Sequence, residues 1–290
     1  MKATTGQNYR RRLITVVDYL YNHLDGQVDV NQLAEVANMS PYHFHRIYRQ
    51  MAGETINSTT RRLRLQRAAS ELLRSPDALH LIASRVGYGS LEAFSRAFRK
   101  EFDQNPSDYR TQKANGFPTS FIATLAHDTQ EYTDMYPVEM IDTQTTQLIG
   151  YEHLGDYMGI GNAFSKLEIY AASHKLITPK SRSIGIYYDD PKTLDKTALR
   201  AHACLSVEQP LSNPEGDSPD SLTIPAGRCA TVLFKGSYAE LEKPYDWMFG
   251  QWLPSSGFEL ADFPPFEEYL NDTKTTPPSE LLTRIHFLLA

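Results

Sequence analysis

Apolar residues recur with a helical period in the first third of the chain, and the pattern occurs twice. Phe44, Ile47, Tyr48 and Met51 fall at i, i+3, i+4 and i+7 and mark the buried side of a helix. Leu91, Phe94 and Phe98 do the same further on. The two segments align: Phe44-His45-Arg46-Ile47-Tyr48-Arg49 with Phe94-Ser95-Arg96-Ala97-Phe98-Arg99, Val36 with Val86, and Ser40 with Ser90, all at an offset of 50. Ahead of each lies a shorter helix and a tight turn. In the first copy Asn31 is expected to cap a helix carrying Leu33, Val36 and Ala37. Asn38-Met39-Ser40 then turns the chain, and Ser40 caps the next helix with Pro41 at its first position. In the second copy the turn is Gly87-Tyr88-Gly89 and the cap Ser90. Two helices joined this tightly make a helix-turn-helix. The periodicity leaves Tyr42, His43, Arg46, Arg49 and Gln50 outside on one second helix. On the other it leaves Glu92, Ser95, Arg96 and Arg99, with Ser90 at the start.

Between the copies, residues 54–73 read as one long helix with Ile56, Leu63, Leu65, Ala68, Ala69, Leu72 and Leu73 on its buried stripe. Such a helix holds the two units at a fixed separation. Recognition helices about 34 Å apart would enter successive major grooves of one duplex. Arginine forks suit this work, because they can donate two hydrogen bonds to guanine or bind phosphate.

The second half changes period. Strands are expected at 147–153, 183–188 and 200–207, and again at 228–235, 266–270 and 282–289; helices are expected at about 157–174 and 238–253. The two sets align at an offset of 81: His153-Leu154-Gly155-Asp156-Tyr157 with Phe234-Lys235-Gly236-Ser237-Tyr238, and Ile186 to Asp190 with Glu267 to Asn271. The expected architecture is therefore multidomain. An all-α double helix-turn-helix domain spans 1–110 and a polar linker 111–135. An α+β domain of two βαββ repeats around a central cleft spans 136–290.

Charge follows the same division. The chain carries net −6, but residues 1–113 count +6 and residues 114–290 count −12. A basic front half fits double-stranded DNA as a partner, and an acidic back half argues against a second polyanion. Two cysteines, Cys204 and Cys229, with no CxxC pair, exclude a disulfide framework and make a zinc site improbable. One bridge between them stays open, with two small core residues as the favoured alternative. His43 and His45 stand two apart on a helix and point to different faces, so no metal or cofactor is expected. The polar, arginine-bearing start and the lack of an apolar run of about 18 residues point to a soluble, cytoplasmic protein with no membrane partner.

These motifs carry two resemblances. Residues 17–110 resemble the DNA-binding domain of the AraC/XylS regulators. The matching residues include Ser40-Pro41-Tyr42, Phe44-His45-Arg46, Val86-Gly87-Tyr88, Phe94-Ser95-Arg96-Ala97-Phe98 and Pro106-Ser107-Asp108-Tyr109-Arg110. One departure is Asp103-Gln104-Asn105, where that family usually has a glycine; Asn105 also tolerates the left-handed conformation, so the departure is mild. Residues 136–290 resemble the GyrI-like effector-binding domain of certain multidrug-sensing regulators. The resemblance rests on the Gly-x-Tyr turn in both halves, on Pro265-Phe266-Glu267-Glu268-Tyr269-Leu270-Asn271-Asp272, and on the following Pro277-Pro278-Ser279-Glu280.

The resemblance implies a cleft that holds a small-molecule effector, with Glu267 and Tyr269 facing it. Tyr157, Tyr187 and Trp247 join them as candidate ligand contacts, while Trp252 is assigned to packing. A carboxylate among aromatic rings suits a flat lipophilic cation, since each ring adds about 0.5–2 kcal/mol of cation–π attraction. The expected function is a transcription regulator that answers to an effector and acts with RNA polymerase. A hydrolase of strained electrophiles, with Glu267 and Tyr269 as base and acid, is the competing reading. A regulator governed by a protein partner, with its cleft packed shut, is the third.

Overall fold

In the computed structural model the chain is described over residues 5–112, 136–209, 211, 218–273 and 275–290. Among the described residues two units stand out, a helical one over residues 7–112 and a second one over residues 136–290. The expected linker lies for the most part outside the described residues. Thr111 and Gln112, assigned to it from sequence, are the end of a helix.

The helical unit contains α1 (Thr5–Asn22), α2 (Val30–Val36), α3 (Pro41–Ala52), α4 (Ile56–Arg74), α5 (Leu79–Arg85), α6 (Leu91–Phe102) and α7 (Pro106–Gln112). The first of these was not anticipated. Its Leu13, Val16 and Leu20 lie on one face and are fully buried with Leu33, Phe44 and Tyr48. The connecting helix serves two cores. Ile56 and Leu63 pack into the first, while Leu65, Ala68, Ala69 and Leu72 pack with Ile82, Val86, Phe94 and Phe98 in the second. Leu73, expected on this stripe, is 40 % exposed, because one residue of helical rotation carries it off the face that Leu72 occupies.

Both turns have the same geometry. Asn38 (φ 50) and Gly87 (φ 77) take the left-handed conformation just past α2 and α5. The next residue closes the helix end in each case, with Met39 N–H donating to Ala34 O and Tyr88 N–H to Ala83 O, both at 2.9 Å. These equivalences run at an offset of 49, whereas Phe44 and Phe94 differ by 50. The second turn is therefore one residue longer, and Val86 corresponds to Ala37 rather than to Val36. Two other local expectations change. Asp29, not Asn31, caps α2, accepting from the Asn31 N–H. Ser40 occupies the cap position of α3 without a side-chain cap bond, leaving Pro41 to start the helix. In the stretch where the AraC/XylS pattern usually has a glycine, the left-handed residue that ends α6 is Asp103 (φ 54).

One arginine ties the two helix-turn-helix units together. Arg64 on α4 donates to the carbonyls of Leu24 at 2.8 Å and Gly26 at 2.6 Å, just beyond α1. The second turn closes over the same guanidinium: a Cβ on Gly87 would stand 2.7 Å from Arg64 and from the Leu24 oxygen.

The other unit is built on one eight-stranded antiparallel sheet. Its strands are β1 (Val138–Thr143), β2 (Thr146–Leu154), β3 (Ser183–Tyr187), β4 (Arg200–Val207), β5 (Asp220–Ile224), β6 (Gly227–Lys235), β7 (Phe266–Tyr269) and β8 (Leu282–Leu288), in the order β1-β6-β8-β7-β3-β4-β2-β5. Exchanging the first four strands with the last four reverses that order into itself, which is the mark of a pseudo-twofold axis between β3 and β7. Each repeat is thus ββαββ, one strand more than expected. The extra strands, β1 and β5, sit at the sheet edges with weak alternation, and each pairs with the other half: β1 with β6 and β5 with β2. Helix α8 (Gly161–Ser173) follows a 3-10 turn at Tyr157–Gly159. Its counterpart α9 (Glu242–Trp247) follows one at Tyr238–Glu240, runs into a π turn at Met248–Trp252 and ends in α10 (Leu253–Ser256).

The π turn changes the repeat. Before it, equivalent residues are 81 apart, as in Gly155 and Gly236, whose N–H groups donate to Leu199 O and Leu281 O. Those acceptors, and the left-handed Lys175 and Gly257, are 82 apart. A π turn is a one-residue insertion in a helix. The constant offset of 81 read from the sequence therefore holds only upstream of it.

Replacing Gly87 with Ala should destabilise the helical unit by about 2 kcal/mol, because a side chain there is both strained by φ and in collision with the Arg64 brace. Urea unfolding of the full chain, following helical circular dichroism, checks this; an unchanged midpoint would remove the brace.

Candidate functional site

The pseudo-twofold axis places two residues directly opposite each other at the sheet centre. In the β3–β7 register Gly185 faces Glu267, with Ile184 facing Glu268 and Ile186 facing Phe266 on either side. Paired residues share a sheet face, so Gly185, Tyr187, Glu267 and Tyr269 all rise on one side. The opposite side carries the apolar cluster of Ile184, Ile186, Phe266 and Cys204.

Glu267 is 3 % exposed. Burying a carboxylate is costly unless its oxygens are hydrogen-bonded. Here Tyr245, from α9, donates to one oxygen at 3.1 Å, and Tyr269 donates to the other at 2.9 Å. The Tyr269 hydroxyl also lies 2.6 Å from that of Tyr187. Its one proton goes to Glu267, so Tyr187 is the donor between the two tyrosines. The hydroxyls form a short chain across the axis, ending on the carboxylate. Gly185 makes the chain possible, since a Cβ there would stand 2.7 Å from the Tyr269 hydroxyl oxygen and 3.0 Å from that of Tyr187.

Further rings wall this floor. Tyr157 meets Tyr187 edge-on at 4.8 Å, Tyr238 lies 5.2 Å from Tyr269, and Phe164 meets Tyr269 at 5.5 Å. Of the five ligand candidates, the structure gathers Tyr157, Tyr187, Glu267 and Tyr269. Trp247 lies instead against Tyr136 at 5.5 Å. It follows Tyr245 by two positions, and that much helical rotation turns it away from the carboxylate. Tyr245 takes the place expected of it; the hint was its equivalence to Phe164 across the repeat. Gly185 was also missed, because a glycine in a strand gives no sign of what it faces. Tyr188 points to the other sheet face, where its hydroxyl meets His202 Nδ1 at 3.0 Å. Trp252 stacks on Phe258, in packing as expected. Cys204 and Cys229 are both buried and free.

The second helices of the two helix-turn-helix units differ. On α6, Glu92, Arg96 and Arg99 are exposed and Ser95 is half-buried. The Ser90 hydroxyl accepts from Ala93 N–H at 3.1 Å. Its own backbone N–H, and then the Ser90 hydroxyl, hold the Glu92 carboxyl below its ordinary range. Arg99 is committed to the end of its helix, donating from Nε to Asn105 Oδ1 at 2.9 Å. On α3, Tyr42, Arg49 and Gln50 are half-buried, but His43 and Arg46 are only 2 % and 5 % exposed. Helical periodicity had left both outside. It shows which face meets the helix's own core, and it carries no information about what covers the other.

Residues 136–289 match the GyrI-like small molecule binding domain, and residues 33–112 match a helix-turn-helix domain. A DNA gyrase inhibitor of Erwinia billingiae is 28 % identical over 137 residues, 47 % of this chain and 86 % of that protein. The regulatory protein SoxS of Salmonella typhimurium is 32 % identical over 103 residues, 36 % of this chain and 96 % of that protein. The chain belongs to the AraC-type regulators with a GyrI-like domain. A crystal structure of the EcmrR C-terminal domain is similar at a TM-score of 0.44 and 21 % identity, over 54 % of this chain and 98 % of that one. This AraC-type protein is a DNA-binding transcription regulator with a small-molecule-binding domain. Among its described residues no helix is long and apolar enough to cross a membrane.

The ring cluster around Glu267 in this regulator suppresses ionisation of its tyrosines. Burial, and then the Glu267 charge, push Tyr187 and Tyr269 well above the ordinary value of 10.0. The same two causes push Tyr238 up to about 12. Folded-state values above the unfolded one mean that the stability tied to these protons is complete below pH 10.0 and is lost as the pH rises through the folded-state values. A spectrophotometric titration should therefore leave these three tyrosines protonated until an alkaline unfolding step, at which they ionise together. Full tyrosinate absorbance while the chain is still folded would contradict the geometry.

Proposed function

We propose that a lipophilic cation bound beside Glu267 is the effector that sets how this regulator engages its operator. The observation that carries the reading is the buried carboxylate, its two oxygens each held by a tyrosine hydroxyl and its surroundings built from aromatic rings. Ring faces attract a cation and the carboxylate pairs with it. Both oxygens are already engaged, an arrangement better suited to holding a cation than to taking a proton from water. The hydrolase reading is therefore the weaker one. An effector shifts a regulator only by favouring one of its states.

On the DNA side, α3 and α6 are the proposed recognition helices, with Arg96 and Arg46 as their base-reading residues and Tyr42, His43, Arg49, Gln50, Ser90, Glu92, Ser95 and Arg99 around them. Arg96 is exposed for this task. Arg46 is buried, so the DNA-bound state would differ from this one at α3. RNA polymerase is the further partner in this reading, and the cytoplasm its place of action.

Two measurements test the proposal. With an operator obtained by in vitro selection on the full chain, Arg96→Ala should weaken specific binding by about 1–3 kcal/mol in fluorescence anisotropy. An unchanged affinity would take Arg96 out of base reading. In calorimetric titrations, Glu267→Gln should weaken tetraphenylphosphonium binding by about tenfold or more, with little change for a neutral aromatic of similar size. Equal losses for both ligands would end the ion-pair argument.

A further inference from the structure

We propose that the cleft selects ligands with a single cationic centre set to one side of a flat apolar body, and rejects ligands charged at both ends. The inference rests on the cation reading above and concerns where the charge can lie. It comes from comparing the two halves of the cleft residue by residue. Tyr238 has its equivalent in Tyr157, and Tyr269 in Tyr187. Tyr245 corresponds to Phe164, and Glu267 to Gly185 across the β3–β7 pair. The two tyrosine pairs preserve the rings. The other two pairs remove a hydroxyl and a carboxylate from the first half.

What polarity the first half retains is already committed. The Tyr157 hydroxyl lies 3.1 Å from the carbonyls of Asp189 and Arg200 and accepts from the Asp189 N–H at 3.1 Å. The Tyr187 hydroxyl donates its proton to Tyr269. The first half therefore offers a ligand ring faces from Tyr157, Phe164 and Tyr187, while the second offers the charge. The meeting of the two hydroxyls fills the space in which a side chain at 185 would stand. An acidic group cannot be added there without breaking the chain that ends on Glu267, so the asymmetry is locked by the same contacts that hold the carboxylate. A second positive charge on the ligand would lie over the first half, where the position equivalent to Glu267 is Gly185 and the Asp189 carboxylate is already paired with Arg200, and a buried charge without its own counter-charge is strongly disfavoured.

The test compares two ligands of the same two-ring length, N-methyl-phenylpyridinium with one charge and N,N′-dimethyl-bipyridinium with two, titrated calorimetrically into the full chain. The monocation should bind about tenfold or more tightly. In Glu267→Gln both cations should bind about tenfold or more weakly while the preference for the monocation persists, because the half that penalises a second charge is unchanged. Equal or tighter binding of the dication to the native chain would overturn the asymmetry while leaving the cation reading standing. Failure of both cations to bind would overturn both together.

Discussion

A carboxylate placed at the middle of a sheet, away from water, has to be satisfied by the protein around it, and the centre of the sheet unit is organised by that requirement. Glu267 can be buried only because hydroxyls from β7 and α9 reach both of its oxygens. Those hydroxyls are in place because β3 and β7 pair across the pseudo-twofold axis with a glycine opposite the acid. The strand exchange at the sheet edges, β1 to β6 and β5 to β2, then ties the halves into one continuous sheet around that pair. Duplication supplied two equivalent halves. The halves differ at the centre, where Glu267 and Tyr245 stand in place of Gly185 and Phe164.

The π turn belongs to the same divergence. It absorbs one residue after Tyr245, so the ring that bonds Glu267 keeps its relation to the upstream strands while the downstream strands shift by one position. That shift brings Tyr187 and Tyr269 into equivalence on the axis. Insertions of this kind in helices are often found at functional sites, and here the consequence is visible in the register of the central strand pair.

In the helical unit the organising contact is smaller but plays a similar part. Arg64 fastens α4 to the end of α1 and fits beneath the turn at Gly87, so the first and second helix-turn-helix units share one brace. The two units are not presented alike: Arg96 is open and Arg46 is covered. A protein that must grip two grooves at once would be weakened by losing either one.

Much of this could be read along the chain. The helix-turn-helix pairs, the shared helix between them and all six strands flanking the two α8-type helices follow from period, turn residues and repetition, which act locally, while the pairing of Glu267 with Tyr269 came from the resemblance to the GyrI-like domain. Other features were out of reach because they depend on residues far apart in sequence. Edge strands such as β1 and β5 alternate weakly and are recognisable only by the strands they join. Trp247 and Tyr245 look equally suited to a pocket until the direction of the helix is known. Arg46 looks like a surface residue until its covering is in place. Gly185 carries no chemistry at all, and its role exists only because folding sets it opposite an acid eighty-two residues away. Periodicity encodes which face of an element is buried; which atoms meet across that burial is settled when the elements pack.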